Sequence, residues 1–192
     1  ELNNMSFDNL IIDYLKKDIS LDNETIFSTK LALLDTIGCI FNASDSSQPA
    51  SFATMGKYSK INNPFEFSKN INNSSDLGRF FTTFIRWFDF NDTFLAEEWA
   101  HPSDNIGSLF SYFMTKGGTL KDFSEAIIRT YEIQGSLSLG TSLNKQGYDH
   151  VFFVKIASGS VYADLISSGN EEIITRTINN ILLDGPSLRT YR

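Results

Sequence analysis

Two histidines, His101 and His150, are the only side chains of this 192-residue chain whose ordinary pKa lies near neutrality. Each stands beside carboxylates: Glu97, Glu98 and Asp104 near the first, Asp149 next to the second. An imidazole oriented by a carboxylate is what general acid–base chemistry needs, because it can give or take a proton at neutral pH. A surface or capping imidazole is the plainer reading of either histidine taken alone. The segment 89–102 is dense in Asp, Asn, Glu, Trp and His, a mixture that no simple core face requires.

Other chemistries lack their residues. Glu98-x-x-His101 has the spacing of a di-iron helix, but such a site needs a second copy, and Gly147 stands three residues before His150. Pro102 also interrupts any continuous helix there, and no metal site is expected. The single cysteine, Cys39, is one ligand at most, so no disulfide framework, all-cysteine zinc site or iron–sulfur cluster forms within the chain. Its apolar neighbours, Ile37, Ile40 and Phe41, mark it as a buried thiol. No Walker loop, no Gly-x-Gly-x-x-Gly and no nucleophile elbow is present. A net charge of −7 argues against nucleic-acid binding and against docking on anionic lipid. No uncharged apolar run reaches about 18 residues, so no membrane span is expected. Nor does the start of the sequence read as a secretory signal.

The elements that must position these residues read as helices. The fold class expected is all-α, one helical bundle with long loops, and at 41% hydrophobic residues the chain can fill a core. Leu10, Ile11, Tyr14 and Leu15 make a short first helix. Asp22 or Asn23 caps the next, whose Phe27, Leu31, Leu34, Ile37 and Phe41 line one face. The phenylalanines in general sit at helical spacing and read as core. Residues 42–75, rich in Asn, Ser and Lys, read as a long surface loop insert with a short strand at Phe65-Glu66-Phe67. Ser75 or Asp76 caps a buried helix from Leu77 to about Phe88. Ser103 caps a helix that Gly117-Gly118 ends, and Thr119 with Asp122 forms a capping box for the following one. Residues 135–147 read as a looser connection. Two more helices follow, from His150 to Ile166 and from Glu171 to Leu183, the last stopped by Gly185-Pro186.

The run from Arg86 to Gly107, RWFDFNDTFLAEEWAHPSDNIG, resembles the signature of the 2-methylcitrate dehydratases of the MmgE/PrpD family. Leu34-Asp35-Thr36-Ile37-Gly38-Cys39, Tyr131-Glu132-Ile133-Gln134-Gly135, Asp149-His150-Val151 through Ser158, and Asp184-Gly185 with Ser187 to Arg192 resemble further family segments in the right order. The resemblance implies that residues 1–192 are part of the family's helical domain, with the α+β lid domain and the active-site lysine beyond Arg192. It implies dehydration of 2-methylcitrate to 2-methyl-cis-aconitate in propionate breakdown through the methylcitrate cycle, without an iron–sulfur cluster or other cofactor. It implies a homodimer through the helical domain, and a cytoplasmic location in bacteria or a mitochondrial one in fungi.

Residue by residue, the resemblance carries catalytic roles to Asp89, Thr93, His101 and His150, with the two imidazoles sharing one wall with the carboxylate and the hydroxyl. His101 and His150 are the acid–base pair, without assignment of which is which. Asp89 orients, and Thr93 donates a hydroxyl. Arg86, Lys155, Arg189 and Arg192 are the cationic candidates for the carboxylates of a small tricarboxylate substrate. The long segment between Thr93 and His101 fits the dehydratases better than the cis-aconitate decarboxylases. Ala100 departs from the usual glycine, and Gly140-Thr141-Ser142 lacks the usual acidic residue. An open cleft without a lid admits water, so weak or no turnover is expected of this chain alone. The alternative is a non-catalytic helical module that dimerises or pairs with a separate lid-bearing polypeptide.

Overall fold

A computed structural model describes residues 5–189 of the chain. In chain order its α-helices are α1 (Phe7–Leu15), α2 (Asn23–Ser44), α3 (Ser47–Thr54), α4 (Pro64–Ser68), α5 (Ser74–Arg86), α6 (Ile106–Lys116), α7 (Leu120–Gly140), α8 (Val151–Ser167) and α9 (Glu171–Asp184). Pairing of β type is confined, among the described residues, to the isolated bridges Phe94 to Ala100 and Tyr148 to Leu188. The fold is all-α. The chain divides into two compact units. One holds Leu21–Thr93 and His101–Ile127; the other holds residues 5–20, Phe94–Ala100 and 128–189.

In the first unit α2 starts where its cap dictates, the Asp22 carboxylate accepting from the Thr25 N–H at 2.8 Å. Its inner face, however, is not the large apolar stripe. Thr29, Thr36, Cys39, Ile40 and Ala43 are buried, while Phe27, Leu31, Leu34 and Phe41 are exposed, Leu34 at 67%. The two threonines tolerate burial because their hydroxyls donate to the carbonyls of Thr25 and Ala32. Apolar period gives a helix and a choice of faces; packing against α5 and α3 selects the slimmer one. By length and composition α2 alone would also pass for a membrane span.

Residues 42–75 are not a surface loop with a strand. They carry the end of α2, then α3 and α4, and Pro49, Ala50, Ala53, Ile61 and Pro64 are buried. Phe65-Glu66-Phe67 is helical, because Asn63 accepts from the Glu66 N–H at 3.1 Å and Pro64 occupies the first turn. Phe65 then stacks into the core, 5.2 Å from Phe81 and 5.3 Å from Phe110 between ring centroids. The cap of α5 is Asn73, which accepts from Ser75 and Asp76, rather than either of those two. Helices α5 and α6 meet closely at Gly107, where an added Cβ would lie 2.7 Å from the Thr82 nitrogen. Only glycine permits that approach, and it fixes where α6 begins, just after His101-Pro102-Ser103-Asp104. Ser103 caps nothing: Pro102–Asn105 is a 3₁₀ turn leading into α6. The Thr119–Asp122 box forms reciprocally, at 2.9 and 3.1 Å.

In the second unit α9 packs on α1 and α8. Asn170 caps α9 by accepting from Ile173, and Gly185 at φ 72° ends it. Helix α7 runs through Gly135 to Gly140 instead of loosening at 135. Its buried Ile133, Gln134 and Ser138 hold that last stretch helical, against the roughly 1 kcal/mol that a mid-helix glycine costs. Tyr14 of α1 donates to Glu132, and Arg129 donates to the carbonyls of Tyr14 and Lys17, joining α1 to α7.

Candidate active site

After α5 the chain turns back through Asp89, which takes φ 60°, a left-handed conformation uncommon outside glycine. Asp89 is held there by a hydrogen-bonded ion pair with Arg86, three residues earlier. The same guanidinium approaches a second carboxylate: Arg86 Nε lies 3.5 Å from Asp104 Oδ2. Asn91 ties the two segments together, its amide donating to Ser103 Oγ at 2.8 Å and to Asp104 Oδ1 at 3.0 Å. Asp92 does so twice more. Its carboxylate accepts from the Ser103 N–H at 2.9 Å, and its carbonyl lies 2.7 Å from His101 Nδ1.

That last contact settles the proton on one side of the His101 ring. A carbonyl only accepts, so Nδ1 carries the hydrogen and Nε2 is left to exchange protons. Nε2 lies 3.6 Å from Asp89 Oδ1. Asp104, 6% exposed, sits beneath this web. Burial pushes its carboxyl up to about 6, although Arg86, Asn91 and His101 all favour the charged form. Cys39 is buried, and desolvation followed by the nearby charges of Asp35 and Asp92 raises its thiol to about 11, so it stays unreactive at neutral pH.

In the other unit, His150 is fully buried at the start of α8. Its imidazole lies against the indole of Trp99, with ring centroids 4.3 Å apart at 37°, and Asp149 Oδ1 is 3.1 Å from Nδ1. The Arg189 guanidinium stands 5.2 Å from the same indole centroid. Arg189 reaches that place because residues 187–189 pair with 147–149: the Asp149 N–H donates to Ser187 and the Arg189 N–H to Gly147, both at 2.9 Å. Trp99 is presented by a closed loop in which Phe94 and Ala100 exchange both backbone hydrogen bonds.

The candidates of the sequence thus divide. Asp89 and His101 are brought together, and Thr93 is exposed on the same unit. Arg86 is engaged by Asp89 and Asp104 and holds Asp89 in place. Lys155 is likewise ion-paired, with Asp184. Arg189 shares Trp99 with His150, and Arg192 lies outside the described residues. Glu97 pairs with Lys145, and Glu98, fully buried, accepts from Ser142 and Asn144. Sequence reasoning missed the roles of Asn91, Asp92 and Trp99. Their one signal was a polar and aromatic density in 89–102 with no core use.

Residues 15–192 match the MmgE/PrpD N-terminal domain. The chain is 33% identical to the mitochondrial 2-methylcitrate dehydratase of Yarrowia lipolytica over 201 residues, 95% of this chain and 38% of that protein. It is 34% identical to the probable 2-methylcitrate dehydratase of Saccharomyces cerevisiae over 200 residues, 93% of this chain and 36% of that one. With the 2-methylcitrate dehydratase of Escherichia coli K12 it shares 42% identity over 118 residues, 56% of this chain and 24% of the enzyme. The chain therefore spans well under half the length of these relatives. Both histidines and every residue of the two clusters fall inside the matched domain, and the chain belongs to the MmgE/PrpD family.

Proposed function

We propose that this domain carries acid–base groups of a hydro-lyase that dehydrates 2-methylcitrate to 2-methyl-cis-aconitate, a step of propionate catabolism. The observation that carries the reading is the fixed tautomer of His101, whose Nδ1–H is held by the Asp92 carbonyl while Nε2 faces Asp89. Elimination breaks a C–H and a C–OH bond and forms C=C and water. One group takes the proton, another protonates the departing hydroxyl, and cations hold the carboxylates. His101 and His150 are the pair. His101 works through Nε2, Asp89 orients it, and the Thr93 hydroxyl donates to a substrate carboxylate or to the hydroxyl that leaves. Arg189, whose guanidinium stands against the same indole as His150, is the candidate cation.

Arg86 and Lys155 are ion-paired, and a net charge of −7 disfavours capture of a trianion by this chain alone. Weak turnover by the 192-residue chain follows. Two measurements test the proposal. Absorbance of the unsaturated product reports turnover, and titration of 2-methylcitrate against the two imidazole C–H signals reports binding. The expected result is that both signals move along one binding curve, with acetate as an inert control. Signals that ignore the ligand, or only one that responds, overturn the reading, and so does turnover that survives both His101→Gln and His150→Gln.

A second reading has its own support. The exposed Phe27, Leu31, Leu34 and Phe41 form an apolar stripe on α2 of the kind that joins two copies of a chain. In this reading the domain is a dimerisation module. Sedimentation should show a dimer that Leu34→Glu converts to a monomer; a monomeric parent chain removes the reading.

A further inference from the structure

We infer that Glu98 and Trp99 are a two-residue positioning device for His150, Glu98 holding the backbone that leads to it and Trp99 holding its ring. Glu98 has no exposed surface, yet its carboxylate is satisfied. Its hydrogen-bond donors Ser142 and Asn144 come from one short stretch. Ser142 Oγ donates to it at 3.2 Å, the Asn144 N–H at 2.8 Å, and the Asn144 side-chain amide donates as well. The Glu98 N–H in turn donates to the Ser138 carbonyl at 2.9 Å, so the residue is fixed from both ends. A carboxylate taken wholly out of water persists only where hydrogen bonds replace its hydration. Glu98 finds those bonds at the beginning of the connection that ends at His150.

Trp99, the next residue, meets His150 at the end of that connection. Its indole lies 4.3 Å from the imidazole and 5.2 Å from the Arg189 guanidinium. The reciprocal bridge between Phe94 and Ala100 closes the loop that presents both residues. Side chains 98 and 99 therefore grip the two ends of residues 142–150, and Trp99 adds the cation that the 187–189 pairing delivers. Neither residue need touch a substrate. Each acts through His150, and this inference rests on reading His150 as one of the acid–base pair.

The test needs no turnover. The chain has two histidines, so its imidazole C–H spectrum holds two sets of signals, and His101→Gln and His150→Gln assign them. Stacking on an indole shifts the His150 signals upfield. Trp99→Leu should abolish that shift and leave His101 where it was; Trp99→Phe, which keeps an aromatic face, should retain part of it. Glu98→Gln keeps the volume but loses the charge, and should broaden or split the His150 signals alone. His101 is the internal control for folding. If Trp99→Leu unfolds the chain, both sets collapse together and the two milder variants decide. His150 signals unmoved in Trp99→Phe and Glu98→Gln, or moved no more than those of His101, overturn the inference. The spectrum of the free chain is independent of any response to 2-methylcitrate, so loss of the acid–base reading and loss of this one are distinguishable.

Discussion

The surroundings of His101 and His150 are built from opposite materials. His101 lies in a web of charges and amides, with Asp89, Arg86, Asp104, Asn91 and Asp92 all linked. His150 lies against an aromatic plane with one adjacent carboxylate. The first is fixed by many directional bonds of short sequence reach, within residues 86–104. The second is fixed by contacts that span long loops. The difference teaches where each site is fragile. A polar web fails when one member is removed and leaves a buried charge; a stacked ring fails when its platform moves.

The largest effect should come from the web. Arg86→Met leaves the buried Asp104 without its counter-charge, and breaking such a pair costs about 3 kcal/mol. Urea denaturation at pH 8 should show that loss, and the double variant Arg86→Met/Asp104→Asn should recover most of it. Equal losses in single and double variants would mean that the charge was never the issue.

Asp104 also gives this unit a pH dependence of definite sign. Its folded-state carboxyl is raised to about 6 by burial, so the folded chain binds that proton more tightly than the unfolded one. Stability from this residue is present below the ordinary carboxylate pKa and is lost as pH rises from about 4 through about 6, by roughly 2–3 kcal/mol. Asp104→Asn should flatten that part of the profile. An unchanged slope in the variant would assign the loss to other groups.

The aromatic side is probed next. Glu98→Ala strands the Asn144 N–H and the Ser142 hydroxyl in a buried place, which costs about 2 kcal/mol. Hydrogen exchange should quicken in residues 142–150 and stay unaltered in 101–105. Exchange that quickens equally in both would erase the contrast between the two surroundings.

How much of this could be read in the sequence differs between the two sites for the same physical reason. Helix ends were legible where the signal is local: Asp22, the Thr119–Asp122 pair, Gly117 and Gly185 all act within a few residues. The web at His101 was half legible, since its members are neighbours in sequence, but the direction in which Arg86 turns was not. Glu98 bonds to residues 44 and 46 positions away, and nothing in spacing or composition announces that. Residues 42–75 misled because Asn63 and Asn73 look like loop residues until they are seen capping helices. The stripe Phe27, Leu31, Leu34 and Phe41 misled differently: its period is right for a helix, but period does not say which face meets the rest of the unit.

The smallest effect on stability should fall at the residue with the most to do in the proposed chemistry. Asp89 is 66% exposed at its side chain, and its pair with Arg86 is screened by water, so Asp89→Asn should change stability by less than about 1 kcal/mol. The left-handed backbone at 89 also tolerates Asn nearly as well as Asp, so no new strain enters. Yet the substitution removes the charge of the carboxylate that lies 3.6 Å from His101 Nε2. A site whose role was structural would place that carboxylate where folding profits from it, as it does Asp104. The expectation is a chain as stable as the parent in which 2-methylcitrate no longer shifts the His101 signals. A large loss of stability would move Asp89 into the scaffold and take it out of the proposed chemistry.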